Sequence, residues 1–370
     1  TGQDNVAIGR AALAANTTAD NNTAVGSSAL LSNTTGEGNV AVGANALAAN
    51  TTAADNVAVG TNALLTVITG ANNTAVGISA LKLNTGDNNT AVGRGSLLNN
   101  SGGGANTAFG KDALNDNTTG DYNTAVGQNA LDANTTADSN TAVGQAALGA
   151  NTTGSANTAV GTSALDSNTT AANNTAVGFE CLHTNSTGAN NTAMGHSALA
   201  LNSTGASNTA LGYNALGANT TADDNTAVGF RALEANTTAT NNTAVGKGAA
   251  TDLTTGGNNT AIGQDALFTE TTGANNVSVG FQALYTSNGA GDNVAVGHNA
   301  GFNVTTAGHL TLIGISAGDS VTTGSNTTCI GRNAGTAITT AQHNLCVGAD
   351  SGLSITTNQY NTIIGTHANT

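Results

Sequence analysis

The chain has 370 residues, of which 3% are aromatic and 8% charged, with 49 Gly and neither Pro nor Trp. That composition excludes an ordinary aromatic-rich globular core, and a 38% hydrophobic content placed at fixed spacing excludes a disordered polar chain. A net charge of −14, with seven Lys and Arg scattered singly, offers no basic stripe for nucleic acid, and no apolar run approaches the ~18 residues of a membrane span.

From Asn5 onward the chain repeats a 17-residue unit, with starts at Asn5, Asn22, Asn39, Asn56, Asn73, Asn89 and Asn106 and the last at Asn361. One interval, Asn73 to Asn89, is 16 residues. The consensus is Asn-Thr-Ala-Val-Gly-x-x-Ala-Leu-x-x-Asn-Thr-Thr-Gly-x-x, whose members are called positions 1 to 17. A fixed period of this length marks stacked, quasi-one-dimensional architecture. Two Gly and an Asn-Thr-Thr cluster in each unit leave no stretch long enough for a helix. The sequence therefore predicts an all-β, parallel β-solenoid of about 22 coils of 17 residues, with two short strands per coil. Both ends of the chain fall inside a repeat, which predicts a segment of a longer protein.

Positions 2 to 4 form a short β-favouring run that ends at an invariant glycine, represented early in the chain by Gly9, Gly26, Gly43, Gly60, Gly77, Gly93, Gly110 and Gly127. Invariance at that site predicts backbone angles that a Cβ forbids. The second glycine, at position 15, alternates with Ala and predicts a looser turn. The single deletion, at Asn84-Thr85-Gly86, falls beside it, as a surface loop allows.

Residues 1–297 are predicted as regular coils and 298–370 as variant ones. In the variant coils the position 9 Leu becomes Gly301, Gly318, Gly335 and Gly352 while the position 12 Asn becomes Val304, Val321, Ile338 and Ile355. Ala250 and Leu253 make the same exchange in an isolated coil. Exchange of bulk is what close packing demands of two side chains sharing one interior. Position 3, small elsewhere, enlarges to Leu312, Cys329, Cys346 and Ile363 and is assigned to the same interior. Positions 2 and 4 then face outward by strand alternation; the opposite assignment, with position 4 inside and position 3 at the interface, equally demands burial of two faces. Position 4 forms an apolar stripe, beginning Val25, Val42, Val59, Val76, Val92, Phe109 and Val126, which predicts self-association, with a parallel homotrimer as the simplest closed arrangement.

No residue set suggests catalysis, a cofactor or a metal site. Turn acids such as Asp55, Asp87, Asp121, Asp223 and Asp224 read as solvated, without the facing carboxylate pair of a glycosidase, and the calcium-binding nonapeptide is absent. The six His are isolated. Cys329 and Cys346 share a position in successive coils and read as core residues, although distance alone permits a disulfide; Cys181 fills the small position 8. The Asn-Thr-Thr sites at Asn16, Asn50, Asn134, Asn151 and Asn236 are formal glycosylation acceptors and are read instead as a stacked Asn ladder.

The units Asn123 to Leu131 (NTAVGQNAL), Asn157 to Leu165 (NTAVGTSAL) and Asn225 to Leu233 (NTAVGFRAL) resemble repeats of phage and large-virus tail fibres, and are similar to the head repeats of trimeric autotransporter adhesins, whose unit is shorter. The resemblance spans the chain. It implies a trimer of left-handed parallel β-rolls projecting from a virion or cell surface, with a host glycan or protein receptor as partner. The expected function is a structural and adhesive fibre shaft, not an enzyme. A Thr-rich ice-binding solenoid is the alternative, set behind because the Thr-Thr pairs fall in a turn, and a catalytic tailspike is third.

Overall fold

A backbone that turns every few residues cannot bond to itself along its length, so its N–H and C=O groups have to find partners in neighbouring coils. The computed structural model, which describes residues 2–369, shows how this chain does so. It is a parallel β-solenoid of 17-residue coils, with no helix among the described residues. The chain divides into two units, Thr1–Thr187 and Gly188–Thr370. The first contains strands β1 (Val6–Ile8) to β11 (Thr175–Val177), and the second β12 (Thr192–Met194) to β22 (Thr362–Ile364). Within each unit consecutive strands pair in parallel and in register, so that like positions stack: Val6 on Thr23, Ala7 on Ala24 and Ile8 on Val25 in the first, Leu345 on Thr362 and Cys346 on Ile363 in the second.

Each coil has one strand, not two. Positions 7, 9 and 17 take positive φ, as at Ala11 (56°), Leu13 (53°) and Asn21 (59°), and the left-handed residues at 7 and 9 break the pleat that a second strand needs. Coil-to-coil bonding continues regardless, with Leu13 N–H donating to the Ala29 carbonyl at 3.0 Å and Ala15 N–H to Leu31 at 3.1 Å. Tight turns within the coil supplement it: Ala12 N–H donates to Gly9 and Asn16 N–H to Leu13, both at 3.3 Å.

A left-handed Leu is unusual, since its Cβ crowds the following carbonyl at a cost of about 1–2 kcal/mol. Burial outweighs that cost, because Leu114, Leu131 and Leu148 are fully enclosed and each gains about 1.5–3 kcal/mol from leaving water. Position 3 alanines such as Ala125 and position 12 are enclosed with it. The variant coils exploit the same geometry. Gly301 and Gly318 keep positive φ (63° and 56°) without the Cβ cost, and the space they release is filled: a Cβ on Gly301 would lie 2.7 Å from Leu312 Cδ1 and 3.1 Å from Val304 Cγ2. Positions 3, 9 and 12 therefore share one volume. The strand ladder crosses the start of the variant coils without change, for Val294–Val296 pairs in register with Thr311–Ile313.

The position 5 glycines behave as their invariance requires. All eight from Gly9 to Gly127 have φ between 128° and 144°, and a Cβ on Gly127 would sit 2.4 Å from the Gly144 carbonyl oxygen of the next coil. Position 15 differs from its prediction as a loose turn. It is enclosed, as at Ala53 and Ala137, and its carbonyl accepts from two buried side chains, Asn123 Nδ2 at 2.8 Å and Asn134 Nδ2 at 3.0 Å in the case of Ala137. Smallness there answers to burial and not to a backbone angle, which is why Ala serves. The deleted residue is position 14, which is exposed in neighbouring coils such as Thr35 and Thr52.

The two glycine positions should therefore separate cleanly on substitution. Gly127→Ala, which must hold a Cβ at a φ of 136°, is expected to destabilise the chain by about 2 kcal/mol or more. Gly120→Ala brings a Cβ as close to a carbonyl, 2.3 Å from that of Ala137, but without a positive φ and in a column that already holds Ala137 and Ala171, and is expected to stay within about 1 kcal/mol of the parent. Chemical denaturation of the two variants side by side checks this, and equal losses would show that position 5 is not set by its backbone.

Candidate functional site

The interior is closed by two columns of buried Asn. At position 12, Asn117 Nδ2 donates to Asn100 Oδ1 at 2.7 Å, Asn134 to Asn117 at 2.8 Å, Asn151 to Asn134 at 3.0 Å and Asn168 to Asn151 at 2.8 Å. This is the predicted ladder, and it places the formal glycosylation acceptors Asn50, Asn134, Asn151 and Asn236 in the core. At position 1 a second column runs through the backbone, with Asn39 N–H donating to Asn22 Oδ1 at 2.9 Å and Asn56 N–H to Asn39 Oδ1 at 3.0 Å. Where an apolar residue interrupts position 12, the preceding amide loses its donor. Val67 leaves Asn50 Oδ1 without a partner, and Leu253 does the same to Asn236 Oδ1.

The least expected member of the position 12 column is Glu270, fully buried between coils that carry Leu253 and Ser287 there. No cation faces it. Its Oε1 accepts backbone N–H groups from Thr271 (3.0 Å), Thr272 (3.1 Å), Gly273 (2.6 Å) and Gly289 (2.6 Å), and Oε2 accepts the Ser287 hydroxyl at 2.7 Å. Five donors replace the water that burial removed. Alignment of the repeats against themselves makes the residue visible as the one acid in an Asn and aliphatic column.

Outside the coil, position 4 forms the predicted stripe. Val42, Val59, Val76 and Phe109 are exposed, Phe109 to 56%, while Val25, Val92 and Val126 are half-buried by their neighbours. Position 2, mostly Thr with Val6, Val40, Val57, Val277, Val294 and Leu345 as the exceptions, lies beside it on the same strand face.

Past the position 5 turn, a further outward column appears that the sequence reading passed over. Position 6 stacks aromatic rings in the second unit, His196 on Tyr213 and Tyr213 on Phe230, each with centroids 5.3 Å apart. Position 10 does the same, Phe268 on Tyr285 at 5.4 Å and Tyr285 on Phe302 at 5.1 Å. The signal was present in the repeat, since aromatics scarce overall recur at positions 6, 10 and 17, the last stacking His343 on Tyr360 at 4.9 Å.

The turn acids have a structural task that their irregular spacing concealed. Those at position 16 reach to the preceding coil, where Asp121 Oδ1 accepts Gly104 N–H at 2.7 Å, Asp138 accepts Asp121 N–H at 2.8 Å, Asp87 accepts Ala71 N–H at 2.8 Å and Asp223 accepts Ala206 N–H at 2.7 Å. Asp132, Asp166 and Asp319 share position 10, and burial is the main cause that pushes each carboxyl up, with the charges of Asp116 and Asp112 adding to it at Asp132. Asp350 is held low by the Asn333 hydrogen bond and then by Arg332, whose Nη2 lies 2.6 Å from Asp350 Oδ2.

Cys181, Cys329 and Cys346 are buried free thiols. Cys329 and Cys346 pair in register, and their mutual hydrogen bond, with burial, pushes the Cys329 thiol far above its ordinary range. Among the described residues no group of three His, Cys, Asp or Glu is placed to hold a metal ion, and no helix is long and apolar enough to cross a membrane. Shallow clefts open on the surface, among them the following three. One, of about 310 Å³, lies between Phe230 and Phe268. A polar one, of about 390 Å³, lies at the deletion beside Asp87 and Asp121. The third, of about 370 Å³, lies beside Leu201 and Glu234. No protein-family model, curated protein or solved structure matches the chain.

The Glu270 cluster makes a testable statement about the interior. Glu270→Ala strands four N–H groups and one hydroxyl and is expected to cost about 2–4 kcal/mol. Placing Asn at both positions with Glu270→Asn and Ser287→Asn is expected to recover most of that loss, because the two amides can then bond each other between Leu253 and Val304. Thermal melts of the single and double variants decide it; a double variant no better than Glu270→Ala would mean that the site requires a carboxylate.

Proposed function

We propose that the chain is a shaft segment of a structural and adhesive fibre, extracellular or on a virion surface, and that it is not an enzyme. Three parallel copies, coiled left-handedly, pack through the position 2 and 4 faces, and the remaining outward turns are available to a host glycan or protein receptor. The observation that carries this reading is the exposed position 4 column. Each three-residue strand places one enclosed small side chain inward and one aliphatic side chain outward, as Ala75 and Val76 do. Such strands repeat in register within each unit, so the outward side chains make a contiguous apolar strip where a solitary soluble protein keeps its patches small. Burying the strip about a closed three-fold axis satisfies it without leaving an open surface to aggregate. The negative charge keeps such assemblies apart from one another.

Sedimentation equilibrium tests the reading directly. The expected mass is three times the 35.7 kDa of one chain. Val59→Lys, Val76→Lys and Phe109→Lys together, all at exposed positions, are expected to leave the coil folded and shift the mass to that of one chain. A folded wild-type protein that sediments as a single chain overturns the reading.

One observation favours the ice-binding alternative more than the sequence did. The Thr-Thr pair lies in a turn as expected, and its first hydroxyl is consumed, Thr118 Oγ1 donating to the Thr135 carbonyl at 2.8 Å. A Thr row also stands on the strand itself, at position 2, flanking the position 4 aliphatics in a regular array of the kind that orders water. Its regularity is interrupted by Val6, Val40, Val57, Val277, Val294 and Leu345 at position 2 and by Phe109 and Met194 at position 4. The fibre reading expects no thermal hysteresis from the purified chain in a nanolitre osmometer; a clear freezing gap with faceted crystals would favour the alternative.

A further inference from the structure

In the second unit the aromatic columns at positions 6 and 10 break at the same coil. Phe230 carries Tyr213 on one ring face, and on the other side the next coil places Lys247 at position 6. Phe268 carries Tyr285 on one face, and the coil before it places Thr251 at position 10. That intervening coil is small on its outer turn, with Gly248 at position 7 and Thr251 at position 10. A side chain on Gly248 would meet Asp265 Oδ1 at 2.4 Å and the Phe268 ring at 3.4 Å. The result is a notch of about 310 Å³ in which two ring faces from different columns look onto one space. Polar groups of both signs surround it. Exposed Lys247 and Arg231 and half-buried Asp265 line it, Arg231 being paired with Glu234.

We propose that this notch binds one pyranose ring of a neutral glycan. A pyranose presents a flat C–H face that packs on a phenyl ring and an equatorial belt of hydroxyls that both donate and accept. The notch supplies the matching set: Phe230, 46% exposed, and Phe268 as apolar walls, the Asp265 carboxylate as acceptor, and the Lys247 ammonium and Arg231 guanidinium as donors. Its volume lies at the small end of ligand sites, which suits a single ring and not a folded peptide. Nucleic acid is a poor occupant, since the local charges balance and the chain as a whole is at −14. The notch lies beyond the position 5 turn and so off the strand face assigned to association. The inference rests on the fibre reading in that respect, because it requires this side of the coil to face solvent.

Titration of the full 370-residue chain with tetrasaccharides of glucose, galactose, mannose and N-acetylglucosamine, followed by saturation-transfer NMR and calorimetry, tests it. At least one tetrasaccharide is expected to bind with a Kd below about 10 mM. Phe230→Ala and Phe268→Ala are each expected to weaken it by about tenfold or more, and Asp265→Asn by less, while Phe302→Ala, at the far end of the same stack, leaves it within about twofold. Lys247→Phe, which extends the position 6 stack over the open face of Phe230, is expected to abolish binding although it adds a ring, an outcome that general surface stickiness would reverse. Absence of binding by all four probes, or binding that survives Phe230→Ala with Phe268→Ala in a chain that melts normally, overturns the proposal. Sedimentation of the same samples keeps the two readings apart: a trimer that binds no sugar removes the notch alone, and a single chain that binds sugar removes the fibre.

Discussion

The constraint from which the structure follows is that backbone groups at each position bond to the equivalent part of the neighbouring coil. Gly127 N–H reaches the Phe109 carbonyl and Leu131 N–H reaches Ala147, one coil away in each case. Every position therefore becomes a column, and a residue is selected by what stands above and below it as much as by its own environment. Asn suits a column because its amide both donates and accepts, so that a buried polar row satisfies itself. Gly at position 5 suits one because successive backbones approach too closely for any side chain. Leu at position 9 accepts a left-handed backbone because the column around it is dry.

Much of this was legible in the repeat. The alternation that places Ala inside and Val outside, the invariant glycine, the Asn ladder and the exchange of bulk among Leu312, Gly318 and Val321 are all properties of columns, and comparing one coil with the next exposes columns directly. The second strand was misread because apolar Leu beside turn residues looks like a strand end, and nothing in residue type announces that Ala11 and Leu13 have positive φ. Position 15 was misread as loose for a related reason: Gly and Ala alternate there, and only the geometry shows a carbonyl gripped by two amides. Departures confined to a single coil, such as Glu270, were hidden by the strength of the consensus.

The outward columns obey a different economy from the inward ones. Inside, a change at position 3 requires an answer at position 9 or 12 within the same volume. Outside, rings at positions 6 and 10 stack where they happen to be consecutive and stop where they are not, with no compensating change in the core. Variation on the outer turns is therefore nearly independent of stability, which is the condition under which a scaffold acquires local binding surfaces without refolding. The cleft between Phe230 and Phe268 is a product of that independence, since small residues at the outward positions 7 and 10 of one coil, Gly248 and Thr251, line it, while the exchange of Ala250 and Leu253 keeps the interior filled.

The interruptions in the Asn column have a consequence for how the chain finds its register. A perfectly periodic sequence can slip by one whole coil during folding and lose almost nothing, because every residue meets a partner of its own kind. Val67, Leu253 and Glu270 are index marks in an otherwise repetitive text. After a slip of one coil, Glu270 would no longer find Ser287 and the Gly289 N–H, and a buried carboxylate would face Val304, which offers no donor. Irregularity in the core is thus a means of counting, by which a repetitive chain distinguishes one turn from the next.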